Sequence, residues 1–196
     1  MPPTKVRTGE LRDHLLDVAL DILATEGVAG VTTRAVAARA RTSAPAIYEL
    51  FGSKGGLVRA LCFEGFGRLV EYLDRLPAPR GAVDDVAATV RSFRQFTTDN
   101  PRLFEVMYAR PFESFTPGAT ERELGDRARS ILVTRVQRCI DAETLHGDPL
   151  DIAHAVLGLS IGLATQETAG WLGSRRAARD RRWDSATKAL LRGFET

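Results

Sequence analysis

The stretch TTRAVAARARTSAPAIYELFGSK, residues 32–54, contains two short helical patterns separated by a turn, and it decides the fold of the chain. Val36 and Ala40 fit helical spacing before the turn, and Ile47 and Phe51 do so after it. Two helices joined by so short a connection are typical of a helix-turn-helix. The second helix has only about seven residues and is too short to be stable alone. It must therefore pack against neighbouring helices.

Hydroxyl side chains precede each of these helices and can cap them. Thr32 or Thr33 stands before the first helix, and Thr42 or Ser43 stands before the second. A hydroxyl there accepts a hydrogen bond from a first-turn N–H that has no helical partner. The second helix leaves an outward surface of small residues, a phenol and a carboxylate: Ala44, Pro45, Ala46, Tyr48 and Glu49. We expect this surface to enter the major groove of DNA, with its first turn against base edges.

The same stretch resembles the tetracycline-repressor (TetR) family of bacterial transcription regulators. The matching residues keep one register: Thr32, Arg34, Val36, Ala37, Ala40, Ser43, Ile47, Tyr48, Phe51, Ser53, Lys54 and Leu57. The resemblance implies an amino-terminal DNA-binding head, a helical body that binds a small-molecule effector, and a homodimer. Arg41 and Pro45 depart from the family pattern, because Arg41 stands at the turn glycine. Arg41 would need a positive φ, at a cost of about 1 kcal/mol, whereas Pro45 suits a first helical turn.

The residues before this stretch complete the head. Residues 1–8 are predicted to form a polar arm with Lys5 and Arg7, which is either an unstructured tail or a minor-groove contact. An amphipathic pattern over residues 8–26 predicts the first helix. Gly27 is expected to end that helix as a carboxy-terminal cap.

The body also has a helical pattern throughout. Ser53 is expected to cap a long helix that Pro77 ends and that belongs partly to the head and partly to the body. Further helices are predicted over residues 83–98, 101–108, 120–140 and 150–172 and after the arginines of 175–182, with loops at 77–81, 110–119, 146–148 and near 173. We predict an all-α fold of about nine helices. A three-helix helix-turn-helix domain is expected at residues 1–52, and an effector-binding and dimerisation domain at 53–196.

The predicted DNA-binding residues lie in the two short helices and at the start of the next one. They are Thr32, Thr33, Arg34, Thr42, Ser43, Ala44, Pro45, Ala46, Tyr48, Glu49 and Lys54. Four are expected to hold phosphates (Thr33, Arg34, Tyr48 and Lys54), and four to meet base edges (Ser43, Ala44, Pro45 and Glu49). Lys54 opposes the helix dipole in a first turn, which a phosphate partner would explain. The alternatives are packing for Tyr48, solvation for Lys54, an ordinary exposed arginine for Arg34 and a position outside the groove for Glu49. The register of the whole motif supports the predicted partner, a double-stranded DNA operator.

Aromatic side chains on the body's helices predict an apolar pocket for a small-molecule effector. The candidate lining residues are Phe63, Phe66, Phe93, Phe96, Phe104, Met107, Tyr108, Gln166 and Glu167. Ordinary core packing explains any one of them equally well, and their identity does not name a ligand.

The last two helices, predicted over residues 149–172 and 180–193, are expected to form a homodimer. The helix predicted over residues 149–172 carries a row of small side chains: Gly158, Ser160, Gly162 and Ala164. Small side chains let a second helix approach closely, and an identical patch on each copy suits two-fold symmetry. Apolar area is expected from Trp183, Leu190 and Phe194. The alternative is that these helices only close the core of one chain.

Composition excludes several other classes of protein. The sequence has 196 residues, of which 44% are hydrophobic and 27% charged, and its net charge of +2 does not by itself indicate DNA binding. No apolar run approaches a membrane span and no signal-peptide core is present, so a cytoplasmic protein without a membrane partner is expected. Cys62 and Cys139 lack metal-ligand spacing and are expected to be reduced, buried thiols.

Enzymatic motifs are missing from the sequence. It contains no glycine-rich phosphate loop after a strand, no Gly-x-Ser-x-Gly and no His-Glu-x-x-His. We therefore expect no enzyme activity, no cofactor and no metal. The alternative to a ligand-responsive repressor is an all-α scaffold whose head contacts another protein. A collapse of DNA affinity with added salt would favour the repressor.

Overall fold

The computed structural model describes residues 4–76, 81–108 and 119–195, except for the side chains of residues 4–7 and 119–121. Every regular element in these residues is a helix, which confirms the predicted all-α fold. The helices are α1 (Thr4–Gly30), α2 (Thr33–Arg39), α3 (Ala44–Phe51), α4 (Lys54–Asp74), α5 (Ala82–Asp99), α6 (Pro101–Tyr108), α7 (Ala119–Asp141), α8 (Pro149–Thr168) and α9 (Arg176–Arg192). The predicted loops at 77–81 and 110–119, apart from residues 81 and 119, lie outside the described residues, as do residues 1–3 of the predicted arm.

The chain divides into two compact units, and each unit combines two stretches of sequence. The first unit is Met1–Phe66 with Asn100–Pro117, and the second is Gly67–Asp99 with Gly118–Thr196. This division falls inside α4. Helix α6 belongs to the first unit because it packs on α1. The assignment of functional domains to residues 1–52 and 53–196 stays a prediction.

In the first unit, α1 packs against α2, α3 and α6. The fully buried side chains include Leu15, Ile22, Leu23, Val31, Val36, Ile47, Leu57 and Leu61. Each contributes about 1.5–3 kcal/mol by leaving water. Gly65 of α4 permits a close approach of α6, since a Cβ built there would lie 2.5 Å from the sulfur of Met107.

The second unit buries a charged group, Asp85 of α5, against α7. The Asp85 side chain is only 2% exposed, and its carboxylate forms ion pairs with two guanidinium groups. One belongs to Arg135 and the other, at 3.2 Å, to Arg138. Arg135 also donates a hydrogen bond to the Thr89 hydroxyl over 3.1 Å. An unpaired carboxylate in such a site would cost several kcal/mol, so the two arginines make the burial of Asp85 possible.

Several predicted helix ends are confirmed. Gly27 breaks α1 with a φ of 71°, and α6 has the predicted bounds. Asp148 caps α8, and its carboxylate accepts hydrogen bonds from the N–H groups of Leu150 (2.8 Å) and Asp151 (3.1 Å). Proline and glycine fix most of these ends, which explains why the sequence shows them.

Other predicted ends were wrong. The helical part of the predicted arm begins at Thr4, since no proline or glycine interrupts residues 4–8. Helix α8 ends at Thr168 and not at residue 172, because Gly170 adopts a φ of 78°. Helix α9 begins at Arg176, so the arginine cluster lies mostly inside it. Arginine is a good helix former, which makes this extension favourable.

Candidate nucleic-acid interface

One hydroxyl caps each of the two short helices. The Oγ1 of Thr32 accepts a hydrogen bond from the Ala35 N–H over 3.1 Å at the start of α2. The Oγ of Ser43 accepts from the Ala46 N–H over 3.4 Å at the start of α3. A cap of this kind is worth about 1 kcal/mol. The two caps therefore fix where both helices begin.

The connection between α2 and α3 is a Schellman motif with arginine at its left-handed position. Arg41 has a φ of 53°, as predicted. The Thr42 N–H donates to the Ala37 carbonyl over 3.0 Å, and the Arg41 N–H donates to the Ala38 carbonyl over 3.3 Å. These two hydrogen bonds define the motif and set the angle between the helices.

Helix α3 has one face in the core and the other face toward solvent. Ile47 is fully buried, whereas Tyr48 exposes 50% of its surface. The predicted base-reading surface is exposed or half-buried throughout: Ser43, Ala44, Pro45, Ala46 and Glu49. The first turn of α3 is thus open to a partner.

The other predicted DNA-binding residues differ in their exposure. Arg34 and Lys54 are exposed, and Thr32 and Thr42 are half-buried. Thr33 is only 8% exposed, and its hydroxyl lies 3.5 Å from the phenol oxygen of Tyr48. The contact links the start of α2 to the outer face of α3.

The turn between α3 and α4 places Lys54 three residues after the end of α3. Gly52 has a φ of 74°, and the Ser53 hydroxyl accepts a hydrogen bond from the Gly56 N–H over 3.0 Å, as predicted for a cap. A Cβ built on Gly56 would lie 1.8 Å from the carbonyl oxygen of Phe51. The backbones of α3 and α4 therefore meet where no side chain fits.

Sequence reasoning missed one contact of the head. The guanidinium of Arg12 lies 5.5 Å from the centre of the Phe51 ring. An exposed cation–π contact contributes about 0.5–1 kcal/mol. The only signal in the sequence is that Arg12 falls on the polar side of the first helical pattern.

The predicted effector residues divide between the two units. In the first unit, the ring centroid of Phe66 lies 6.2 Å from that of Tyr108 and 6.2 Å from that of Phe63. The ring centroids of Phe104 and Tyr108 are 5.1 Å apart. Met107 is buried near them on α6. Burial and the nearby Cys62 raise the pKa of the Tyr108 phenol well above its usual range. Tyr108 is thus a neutral hydroxyl in an aromatic group.

The other predicted effector residues lie in the second unit. Phe93 and Phe96 are buried, and Gln166 is exposed. Glu167 accepts hydrogen bonds from Arg94 over 2.8 and 2.9 Å and from the Trp183 indole over 2.6 Å. Burial raises the pKa of Glu167, but these hydrogen bonds and the charges of Arg94 and Arg179 outweigh burial and lower it. Glu167 is therefore an ionised member of a polar network.

A groove of about 560 Å³ opens between α5 and α9 in the second unit. Charged side chains of both signs line it, including Arg91, Arg94, Asp180, Asp184 and Lys188. None of the predicted effector residues lines this groove. The predicted apolar pocket stays a prediction.

The residues predicted to form the dimer are only partly available to a second copy. Gly158 and Gly162 are exposed, and a Cβ built on either would meet no atom within 4 Å. Ser160 and Trp183 are each 3% exposed. The prediction that Trp183 supplies apolar area to a partner was wrong, because its ring is buried and its indole N–H binds Glu167.

The remaining sequence predictions concern thiols, metals and membranes. Cys139 is buried, which raises its pKa, whereas Cys62 is only half-buried. Within the described ranges, no three metal-binding side chains come together. In the same ranges, no helix has the length and apolar character that crossing a membrane requires.

A helix-turn-helix head followed by a helical body defines a class of transcription regulators, and the family comparison is more specific. The family model for bacterial regulatory proteins, tetR family, matches residues 15–61. The model for the tetracyclin repressor-like C-terminal domain matches residues 86–190. The chain belongs to the tetR family of bacterial transcription regulators, as residues 32–57 implied.

Solved structures share this fold. A protein with unknown function from Rhodococcus sp. RHA1 is 27% identical, with a TM-score of 0.81 over 95% of this chain and 96% of that one. A tetR-family regulatory protein from Rhodococcus RHA1 is 21% identical, with a TM-score of 0.68 over 92% and 96%. A TetR variant from Acinetobacter baumannii in complex with minocycline is 18% identical, with a TM-score of 0.66 over 91% and 93%. No curated protein matches the sequence.

Proposed function

We propose that this protein is a ligand-responsive repressor that binds a pseudo-palindromic operator as a homodimer and is released by a small molecule. The observation that carries the proposal is the open first turn of α3. It is capped by Ser43 and carries Ala44 and Pro45, and the exposed Tyr48 and Glu49 follow in the next turn. Two such helices in a dimer would enter successive major grooves about 34–36 Å apart.

Each half-site would use both kinds of contact. Arg34, Tyr48 and Lys54 would hold phosphates, with Thr33 acting through its hydroxyl beside Tyr48. The small surfaces of Ala44 and Pro45 suit thymine methyl groups, and Glu49 could accept from a cytosine amino group. The phosphate contacts would provide affinity, and the base contacts would provide sequence preference.

The exposed glycines of α8 support the dimer. Glycine inside a helix costs about 1 kcal/mol relative to alanine, and no atom within 4 Å explains Gly158 or Gly162. Absence of a side chain there would let a second copy of α8 approach closely. An open groove of about 640 Å³ between α8 and α9, lined partly by Leu163 and Ala186, adjoins this helix. We propose this surface as the contact between copies.

The effector part of the proposal depends on α4. This helix is continuous from Lys54 to Asp74 and contributes to both units. A small molecule bound among Phe63, Phe66 and Tyr108 would press on α4, and its displacement would move Lys54. The minocycline complex of the Acinetobacter baumannii protein supports a small-molecule effector for this fold. By linkage, ligand and DNA would weaken each other's binding by the same factor, typically about 5–150-fold.

Selection of duplexes from a random pool, followed by anisotropy titration at two salt concentrations, tests the proposal. The expected result is a palindromic consensus bound much more tightly than unrelated DNA, with affinity that falls as salt rises. Equal affinity for all duplexes would contradict the proposal and favour a protein-binding scaffold.

A further inference from the structure

Arg41 has three properties that a helix-turn-helix does not require. Its φ of 53° lies in the left-handed region, which penalises any residue with a Cβ. Its side chain is exposed. Within the described part of the chain its guanidinium has no hydrogen-bond or ion-pair partner.

The strain at Arg41 could have been avoided with glycine. Glycine adopts positive φ freely and is the usual residue at this position of a Schellman motif. The chain itself uses glycine at Gly27, Gly52, Gly147, Gly170 and Gly173, which all have positive φ. Among the described residues, nothing that the guanidinium contacts offsets the strain, whereas an anion outside the chain would.

The position of Arg41 indicates which partner it meets. Arg41 stands two residues before Ser43, the cap of the helix that carries the proposed base-reading surface. Glu26, a carboxylate of the same unit, is already paired with Arg39 at 3.1 Å. Arg41 has no ion-pair partner among the described residues, so it is a free cation two residues before the cap of α3.

We infer that Arg41 is a DNA-binding residue that holds an operator phosphate beside the groove entered by α3. The inference rests on the proposed function and adds a contact to it. A planar guanidinium with five donors matches the geometry of a phosphate. The phosphate contact would then offset the backbone strain at Arg41, because the left-handed turn places its cation just before α3.

The test is to replace Arg41 with glycine, which removes the cation and the strain together. The Arg41→Gly variant should unfold at a temperature about 2–4 °C higher than the wild type. It should bind the selected duplex more weakly, and its salt dependence should be shallower by about 0.9 in logarithmic slope per protomer. Arg41→Lys should keep most of the salt dependence, since it keeps the charge.

Glu143 provides a matched control. It has a φ of 54° in the turn after α7. Its N–H donates to the Ile140 carbonyl over 2.9 Å, and the Thr144 N–H donates to the Cys139 carbonyl over 2.9 Å, so the turn is the same motif. Glu143→Gly should raise the unfolding temperature by a similar amount and leave DNA affinity and its salt dependence unchanged.

The outcomes separate this inference from the function on which it rests. Higher stability with weaker, less salt-dependent binding for Arg41→Gly alone would support a phosphate contact. Unchanged binding by Arg41→Gly, or a lower unfolding temperature, would overturn the inference while wild-type binding still supports the repressor. Failure of the wild-type protein to bind any selected duplex would overturn the proposed function and this inference with it.

Discussion

Glu167 has the clearest consequence for acid stability among single residues. Its pKa in the folded protein is lowered by Arg94, Trp183 and Arg179 despite burial. Because the pKa is depressed, ionised Glu167 stabilises the folded protein fully at pH values above about 4.3, the ordinary pKa of a glutamate. The stabilisation is lost as the pH falls through the lower folded-state pKa.

Replacing Glu167 with glutamine should therefore destabilise the protein most at neutral pH. The free energy of unfolding at pH 7 should fall by about 2–3 kcal/mol, less than for a fully buried pair, because Arg94 and Glu167 stay 19% and 17% exposed. Urea unfolding at pH 7 and near pH 3 measures the change. Glu105→Gln is the control, because Glu105 forms an exposed ion pair with Arg102 over 3.3 Å. Its expected loss of unfolding free energy is below about 1 kcal/mol at both pH values. An equal loss for Glu167→Gln at both pH values would contradict the assignment.

Single residues also show where sequence reasoning stops. Hydroxyls before α2 and α3 could be recognised as caps, but the choice of Thr32 and Ser43 depends on backbone conformation. Glu167 was predicted to line an effector pocket, whereas its partner Arg94 lies 73 residues away in the sequence. A pairing over that separation leaves no periodic pattern to read.

At the scale of elements, the junction of α3 and α4 is the least tolerant of change. A Cβ on Gly56 would lie 1.8 Å from the Phe51 carbonyl oxygen, a backbone atom that cannot rotate away. Gly56→Ala should therefore force α3 and α4 apart, lower the unfolding temperature and weaken DNA binding. Calorimetry and operator titration measure the two effects.

The adjacent Gly55 is the control for this junction. A Cβ there would lie 3.5 Å from its nearest neighbour, the Ser53 hydroxyl oxygen, which is an ordinary contact. Gly55→Ala should stabilise the protein by about 0.5–1 kcal/mol, because alanine is the better helix former. A stable, DNA-binding Gly56→Ala protein would show that this junction is looser than the structure indicates.

The helices were predictable wherever proline or glycine punctuates the sequence. Pro101 and Gly27 mark ends that the structure confirms. The end of α8 was missed because Gly170 lies within a run that fits helical spacing, and only its φ of 78° shows that the helix has stopped. Spacing alone does not distinguish a glycine inside a helix from one that ends it.

For the whole molecule, the proposed dimer makes a prediction at Gly158. Leucine there should leave the single chain folded, because no atom lies within 4 Å of an added Cβ. It should obstruct a second copy of α8 and leave a monomer in solution. Loss of the second half-site would lower affinity for a palindromic operator by about 100-fold or more. Sedimentation and anisotropy test both effects.

Gly125 of α7 is the matched control for Gly158. An added Cβ at Gly125 also meets no atom within 4 Å, and α7 is not part of the proposed contact. Gly125→Leu should leave mass and DNA affinity unchanged. A dimeric Gly158→Leu protein would place the contact between copies elsewhere.

The packing of α6 on α1 has a consequence for the order in which the protein can be made. Helix α5 belongs to the second unit, yet it is synthesised before α6, which belongs to the first. On the ribosome, α3 therefore emerges before α6, the helix that covers one side of α1. The side of α1 that α6 covers stays exposed while α5 is synthesised, and transiently exposed hydrophobic surface makes a nascent chain prone to aggregate. A gene fusion that carries only residues 1–52 would leave the α6-facing side of α1 uncovered, so we expect it to fold less stably than a fusion that includes α6.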